Sequence, residues 1–126
     1  MTFTCQKLVI GMFDQYTPRV LVIGGGAAGM MAALFSARTG AHVLLIEKNE
    51  KLGKKIYITG KGRGNLTNTA DREMFLSHVY RNPRFLYTAF SLLDNQATMS
   101  LFEELGLHLK TERGGRVFPS SDHASD

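Results

Sequence analysis

The stretch that decides the fold is PRVLVIGGGAAGMMAALFSARTGAHVLLIEKN, residues 18–49. RVLVIGGG is a continuous apolar run that ends in glycines, the pattern of a buried parallel strand. AAGMMAALFSARTG follows, rich in Ala, Met and Leu, and predicts a helix with Gly40 as its C-cap. AHVLLIEKN is a second apolar run that ends in charge and predicts a second buried strand. Residues 18–49 thus have the length and order of a βαβ unit.

Gly24, Gly26 and Gly29 stand in the spacing GxGxxG. Alone, that spacing is weak, because glycine-rich turns are common. Here it follows a strand and opens a helix, the context in which it binds a dinucleotide. Gly24 permits the tight turn, Gly26 lets backbone approach a pyrophosphate, and Gly29 lets helix and strand pack closely. Ala33, one turn further on, keeps that contact small. The amides at Ala27 and Ala28 point a partial positive charge at the phosphates. Glu47 falls at the end of the second strand, where an acid accepts hydrogen bonds from ribose hydroxyls. Its carboxylate would repel a 2′-phosphate, so the expected ligand at this site is FAD or NAD and not NADP.

Working outward, residues 50–69 are polar, basic and glycine-rich, and read as a long structured loop with IYI as a short strand or helix end. An NAD-binding unit has no need of such a loop directly after its second strand, whereas a larger dinucleotide such as FAD does. Gly60, Gly62 and Gly64 would let backbone come close to a ligand. Arg63 would offer its planar fork to a pyrophosphate oxygen, and Asn65, Thr67 and Asn68 supply polar contacts. Lys51, Lys54 and Lys55 read better as solvated side chains.

Three helical stretches are expected next. The first runs from Asp71 to Asn82-Pro83 and the second covers residues 84–93. The third has Asn95 as N-cap, Gly106 as C-cap, and Met99, Phe102 and Leu105 on one face. LHLKTE alternates and predicts a half-exposed strand, with GGRVF as its hairpin partner. Residues 1–17 show no clear period. They read as an extension, either disordered or carrying a short strand in KLVIGMF. A parallel pair needs neighbours on both sides, so residues 18–126 are expected to form an incomplete, truncated domain.

Composition narrows the class. The chain has 126 residues, 44% of them hydrophobic and 21% charged, and a formal charge of +4. Positive charge is concentrated between Lys48 and Arg63, beside the second glycine cluster, which favours a phosphate-bearing ligand. A nucleic-acid patch interleaves aromatics with its cations, and only Tyr57 lies in this run, so no nucleic-acid partner is expected. No apolar run approaches the ~18 residues of a membrane span, and the N-terminus carries no cleavage signal; a cytoplasmic protein is expected. The one cysteine, Cys5, rules out an internal disulfide. His42, His78, His108 and His123 are scattered without metal-ligand spacing, so no metal is expected. Ser120, Ser121 and Asp122 have no identifiable histidine partner. Met30, Met31 and Phe35 read as core.

VLVIGGGAAGMMAA, LLIEKNEKLGKKIYITGKGRGNLTN and RGGRVFPSSDHASD, in that order, make the chain resemble the N-terminal region of the BaiN/HI0933-type flavoproteins over residues 18–126. That resemblance implies an α/β Rossmann-like FAD-binding βαβ unit followed by helices and a β-hairpin. It implies FAD held at Gly24, Gly26, Ala27, Ala28, Glu47 and Lys48, with Gly62, Arg63 and Asn65 nearer the flavin. The activity implied is a flavin-dependent oxidoreductase that passes reducing equivalents to a small-molecule acceptor, with NAD(P)H a candidate donor. The alternative is a catalytically inactive dinucleotide-binding fragment that needs the missing C-terminal part of the protein. No catalytic acid or base is identifiable. Members usually carry cysteine after the arginine of the second motif; this chain has Gly64.

Overall fold

The computed structural model describes residues 18–126. The extension at 1–17, with its KLVIGMF strand option, lies outside the described residues. The chain divides into two compact units after Leu52.

The first unit is the expected βαβ. Strand β1 (Arg19–Ile23), helix α1 (Ala27–Arg38) and strand β2 (His42–Ile46) follow in order. The strands pair in parallel, Arg19 with His42 through Ile23 with Ile46. The Gly24 amide continues the ladder to the Ile46 carbonyl at 2.7 Å, so the glycine turn starts while still attached to β2. At the far end of α1, Thr39 is the cap, and left-handed Gly40 sits one position beyond it with its amide on Ala37 O.

Burial differs from expectation. Both strands were expected to be buried on both faces, but they alternate. Leu21 (57%), Ile23 (81%), Leu44 (57%) and Ile46 (47%) stay exposed. They lie on one face of the pair, because side chains alternate along a strand, while Val20, Val22, Val43 and Leu45 are half-buried. Helix α1 has no buried residue. Met30 and Met31 are half-buried, and Phe35 is exposed, with the Arg38 guanidinium 5.9 Å from its ring.

The second unit is built on an antiparallel sheet. Its strands are β3 (Thr67–Asn68), β4 (Leu109–Glu112) and β5 (Arg116–Pro119), with β5 in the centre. The β4–β5 hairpin is the expected one; Gly114 and Gly115, both left-handed, make its turn. The short β3 was not expected as a strand. The helices are α2 (Arg72–Ser77), α3 (Tyr87–Leu92) and α4 (Asn95–Glu104), with 3₁₀ segments at Ile56–Gly62 and Pro83–Leu86. The core comprises Leu76, Phe90, Leu101, Val117 and Phe118.

Two helix limits move. Helix α2 starts at Asp71 as expected, with Asp71 capping it through the Met74 amide, but it stops at Ser77 rather than at Asn82. The Ser77 hydroxyl and the His78 ring both take the Met74 carbonyl, and a side chain bonded to that carbonyl competes with continuation. The N-cap of α4 is Asp94, whose carboxylate accepts from the Ala97 amide. Asn95, expected as the cap, is instead the first helical residue. It is 4% exposed, and its amide donates to Asn68 O and Ala70 O. Leu101 rather than Leu105 anchors the buried face of α4, and Leu105 is 56% exposed.

Candidate functional site

The glycine turn of the first unit is where ligand chemistry concentrates. Gly24 takes φ 101°, which only glycine adopts cheaply. Gly29 carries no side chain because a Cβ there would fall on the Gly24 carbonyl oxygen. Gly26, by contrast, has φ −77° and open space where a Cβ would stand, so nothing in the fold itself demands glycine at this position. It is the N-cap of α1, and no side chain caps this end of the helix. The first helical bond is Met30 N–H to Gly26 O. The amides of Ala27, Ala28 and Gly29 therefore precede the ladder, and Ala27 and Ala28 are exposed.

Glu47 leaves the end of β2 and turns back to this loop. Its Oε2 accepts the Gly25 amide at 2.7 Å, and its Oε1 accepts both the backbone and the side-chain amide of Asn49. These bonds hold its carboxyl below the usual carboxylate range. The Asn49 backbone amide does most, followed by the Gly25 amide and then the Asn49 side chain. The two Asn49 donors fill Oε1, while Oε2 keeps a lone pair. Asn49 and Gly25 were not singled out from sequence. A short polar residue two positions after the acid was the available sign, since Asn readily bonds locally.

A dinucleotide fits these residues. Uncapped amides at a helix start suit a diphosphate, Gly26 leaves room for one to come close, and an ionised carboxylate beside the turn suits a sugar diol. Lys48 is exposed next to Glu47.

The residues of the basic loop, in the second unit, are used differently. Arg63 donates from Nε to Asp122 Oδ1 at 2.7 Å and from its two terminal nitrogens to both oxygens of Glu112. Its guanidinium lies 4.3 Å from the Phe118 ring centroid, and Lys110 Nζ holds the other oxygen of Asp122 at 2.6 Å. The guanidinium pKa is driven up, by Glu112 first and Asp122 second. Glu112 and Asp122 are held low in return, Glu112 by Arg63 and Asp122 by Lys110 and then Arg63. The fork expected on a pyrophosphate oxygen is thus spent on two carboxylates of its own unit.

The neighbouring glycines close onto the same region. A Cβ at Gly60 would stand 3.0 Å from Phe118 Cε1, and one at Gly64 3.0 Å from Ala124 Cα. The Ala124 amide bonds Gly62 O at 3.0 Å. Cysteine at position 64 would meet both the left-handed φ of 71° and that contact. Asn65 is exposed, and its side-chain amide donates to Thr67 O. Among the described residues no group of His, Cys, Asp and Glu could hold a metal, and no helix is long and apolar enough to cross a membrane.

Comparison with known proteins shows the family. The family model described as the HI0933-like protein Rossmann domain matches residues 18–126. The chain is similar to a 3-dehydro-bile acid delta(4,6)-reductase of Clostridium scindens, 40% identical over 110 residues, which is 85% of this chain and 26% of that protein. It is similar to the ribosomal RNA dihydrouridine synthase of Haemophilus influenzae, 32% identical over 106 residues, 83% of this chain and 25% of that protein. The Escherichia coli protein of that name is 32% identical over 99 residues, 78% of this chain and 24% of that protein. The chain spans about a quarter of the length of these curated relatives.

Proposed function

The chain belongs to the HI0933-like family, as a Rossmann dinucleotide-binding domain of flavin-dependent oxidoreductases, and we propose that its dinucleotide is FAD. The observation that carries this reading is the carboxylate of Glu47 held on the glycine turn at Gly25. In our reading the amides of Gly26, Ala27 and Ala28 bind the diphosphate, and Glu47 accepts the adenosine ribose hydroxyls. Its ionised state at neutral pH excludes a 2′-phosphate by charge repulsion. Oε2 takes one hydroxyl on its remaining lone pair. The second reaches Oε1 by displacing the Asn49 side chain. Lys48 lies beside the site as a cation for the same anionic ligand.

Bound FAD supplies the two-electron redox chemistry; the protein orients it and tunes its electronics. We infer that Arg63 is a structural residue of the second unit, fixing the loop that carries Gly62 and Asn65 against Glu112 and Asp122. The acceptor class follows from the relatives' names, which describe a reductase of a bile acid and a synthase of dihydrouridine in ribosomal RNA. Both transformations add hydrogen across a carbon–carbon double bond, so we propose an unsaturated acceptor, with NAD(P)H as electron donor.

A second reading has its own observation. The bare face formed by Leu21, Ile23, Leu44 and Ile46 exposes apolar surface that parallel sheets bury. On this reading the chain binds the cofactor without turning it over.

Titration of the purified chain with FAD tests the main reading. Binding is expected to quench flavin fluorescence and raise the melting temperature, since a ligand that binds only the folded state stabilises it. A melting temperature unmoved by saturating FAD overturns it. NADH oxidation by the FAD-loaded chain with an enone acceptor then separates the two readings.

A further inference from the structure

Residues 80–92 of the second unit read YRNPRFLYTAFSL, and their largest apolar side chains stand in water. Tyr80 is 99% exposed, Phe85 80%, and Leu92, the last residue of α3, 81%. The 3₁₀ segment Pro83–Leu86 runs directly into α3. Phe85 and Leu92 are separated by about two helical turns, so they fall on one side of this continuous stretch. Thr88 and Ala89, which lie between them, are exposed and uncharged, whereas Phe90 lies off that side and is buried in the core. Beside the apolar side are two cations, Arg81 and Arg84, both exposed. Neither makes an ion pair or a ring contact with a described residue, and no Asp or Glu occurs between Glu73 and Asp94.

The backbone that presents these side chains is anchored at both ends. Asn82 takes φ 51°, ψ 56° immediately before Pro83, where an extended conformation is the favoured one. A left-handed residue other than glycine is uncommon, and strain of this kind concentrates at functional turns. The Phe85 amide closes the turn on Asn82 O at 3.1 Å. The core residues Leu76 and Phe90 flank it in sequence, with the Phe75 and Phe90 rings 4.7 Å apart. A fixed turn thus holds a phenyl, a phenol and an isobutyl group in water, each forgoing the gain from burial of a large apolar area. The partner that answers all of these features has an apolar interior under a layer of negative charge. Phenol and phenyl rings settle at headgroup depth. Arginine lays its stem along apolar surface and its head on anionic lipid. Leu92 argues for an apolar medium rather than a stacked ring, because an aliphatic group has no face to stack.

We propose that residues 80–92 are a peripheral docking surface for an anionic lipid bilayer, with Tyr80, Phe85 and Leu92 entering the headgroup layer and Arg81 and Arg84 held by its negative charge. The contact is shallow: the chain lies on the bilayer, and no helix among the described residues is long and apolar enough to cross it. The assignment does not depend on the dinucleotide reading.

The test is co-sedimentation of the full chain with vesicles of phosphatidylcholine alone and of phosphatidylcholine mixed two to one with phosphatidylserine. Binding to the mixed vesicles is expected, weakening as salt rises because the charges are exposed. Arg81→Gln and Arg84→Gln should each weaken it about fivefold, and Phe85→Ala and Leu92→Ala about tenfold. The chain contains no tryptophan, so Phe85→Trp places one reporter on the surface; its emission should shift to the blue on mixed vesicles and be quenched by brominated lipid. Lys54→Gln with Lys55→Gln should bind like the parent. All the substituted side chains are exposed, and unchanged circular dichroism would show that the variants fold. Failure to sediment with mixed vesicles, equal binding to phosphatidylcholine alone, or a bound Phe85→Trp chain whose emission neither shifts nor quenches would each overturn the proposal. A loss of binding in the lysine variant as large as in the arginine variants would move the contact to the basic loop. A lipid-free dimer that Phe85→Ala dissociates, or retention on polyglutamate that it abolishes, would assign the surface to a second copy or to an acidic protein instead.

Discussion

The Gly25 amide donates to Glu47 Oε2 at 2.7 Å, a bond between residues 22 positions apart. It ties the residue after β2 to the turn after β1, so the acid and the helix start reach their positions together. A Cβ at Gly25 would press on Leu52 and stand 3.2 Å from Glu47 Cβ, so the glycine also keeps the carboxylate close. The bond gives the ligand reading a preorganised acceptor, already ionised and already aimed.

Glu47→Gln keeps the shape of this acceptor and removes its charge. FAD affinity should fall about tenfold, the ordinary effect of losing hydrogen bonds to a charged group. Asn49→Ala should leave affinity unchanged or raise it, because the Asn49 side chain occupies an Oε1 position that the ribose needs. Calorimetric titration of both variants checks the pair; an Asn49→Ala variant that binds worse than Glu47→Gln would refute the displacement.

Gly26→Ala and Gly29→Ala separate ligand approach from folding. Position 26 has open space and a φ that alanine accepts, so this variant should melt like the parent while losing FAD affinity. Position 29 abuts backbone that cannot swing away, so alanine there should cost about 1–3 kcal/mol of overpacking strain. Melting curves with and without FAD distinguish the two. A Gly26→Ala chain that binds FAD normally would remove the diphosphate from this turn.

Acid should loosen the second unit through Glu112 and Asp122. Both carboxyls are depressed below their ordinary values of 4.5 and 3.8 by Arg63 and Lys110. A depressed carboxyl stabilises the fold above its unfolded value and loses that contribution as pH falls through its folded value. The melting temperature should hold from pH 7 to about pH 5 and drop below it. Glu112→Gln should start lower and flatten the acid limb. Arg63→Gln should be no worse when combined with Glu112→Gln than alone, because each removes the same contact.

The first unit was legible in the sequence because its signals agree. Apolar runs, the glycine spacing and the strand-end acid all specify one βαβ unit, and every element falls where the pattern put it. Arg63 was legible as a special residue but not as to its partners. Glu112 and Asp122 lie 49 and 59 positions away, and only the antiparallel sheet and the left-handed turn at Asp122 bring them to the guanidinium. The exposed sheet face could not be read at all, since an apolar run specifies a preference for burial and not the surface that supplies it. The shift of the α4 cap from Asn95 to Asp94 has the same origin. Either residue caps a helix locally, and tertiary contact with β3 decided between them.

That contact makes the last prediction. Asn95 is buried, and its one side-chain nitrogen serves two backbone carbonyls, Asn68 O at 2.6 Å and Ala70 O at 2.8 Å. Both lie in the segment that leads from β3 into α2. Asn95→Ala strands those acceptors and should cost about 1–3 kcal/mol, the penalty for buried groups left without partners. Asn95→Asp should cost more, since it sets a carboxylate against two carbonyl oxygens. Denaturant melts of the two variants rank them. An aspartate variant as stable as the alanine one would mean that water enters and satisfies the pair.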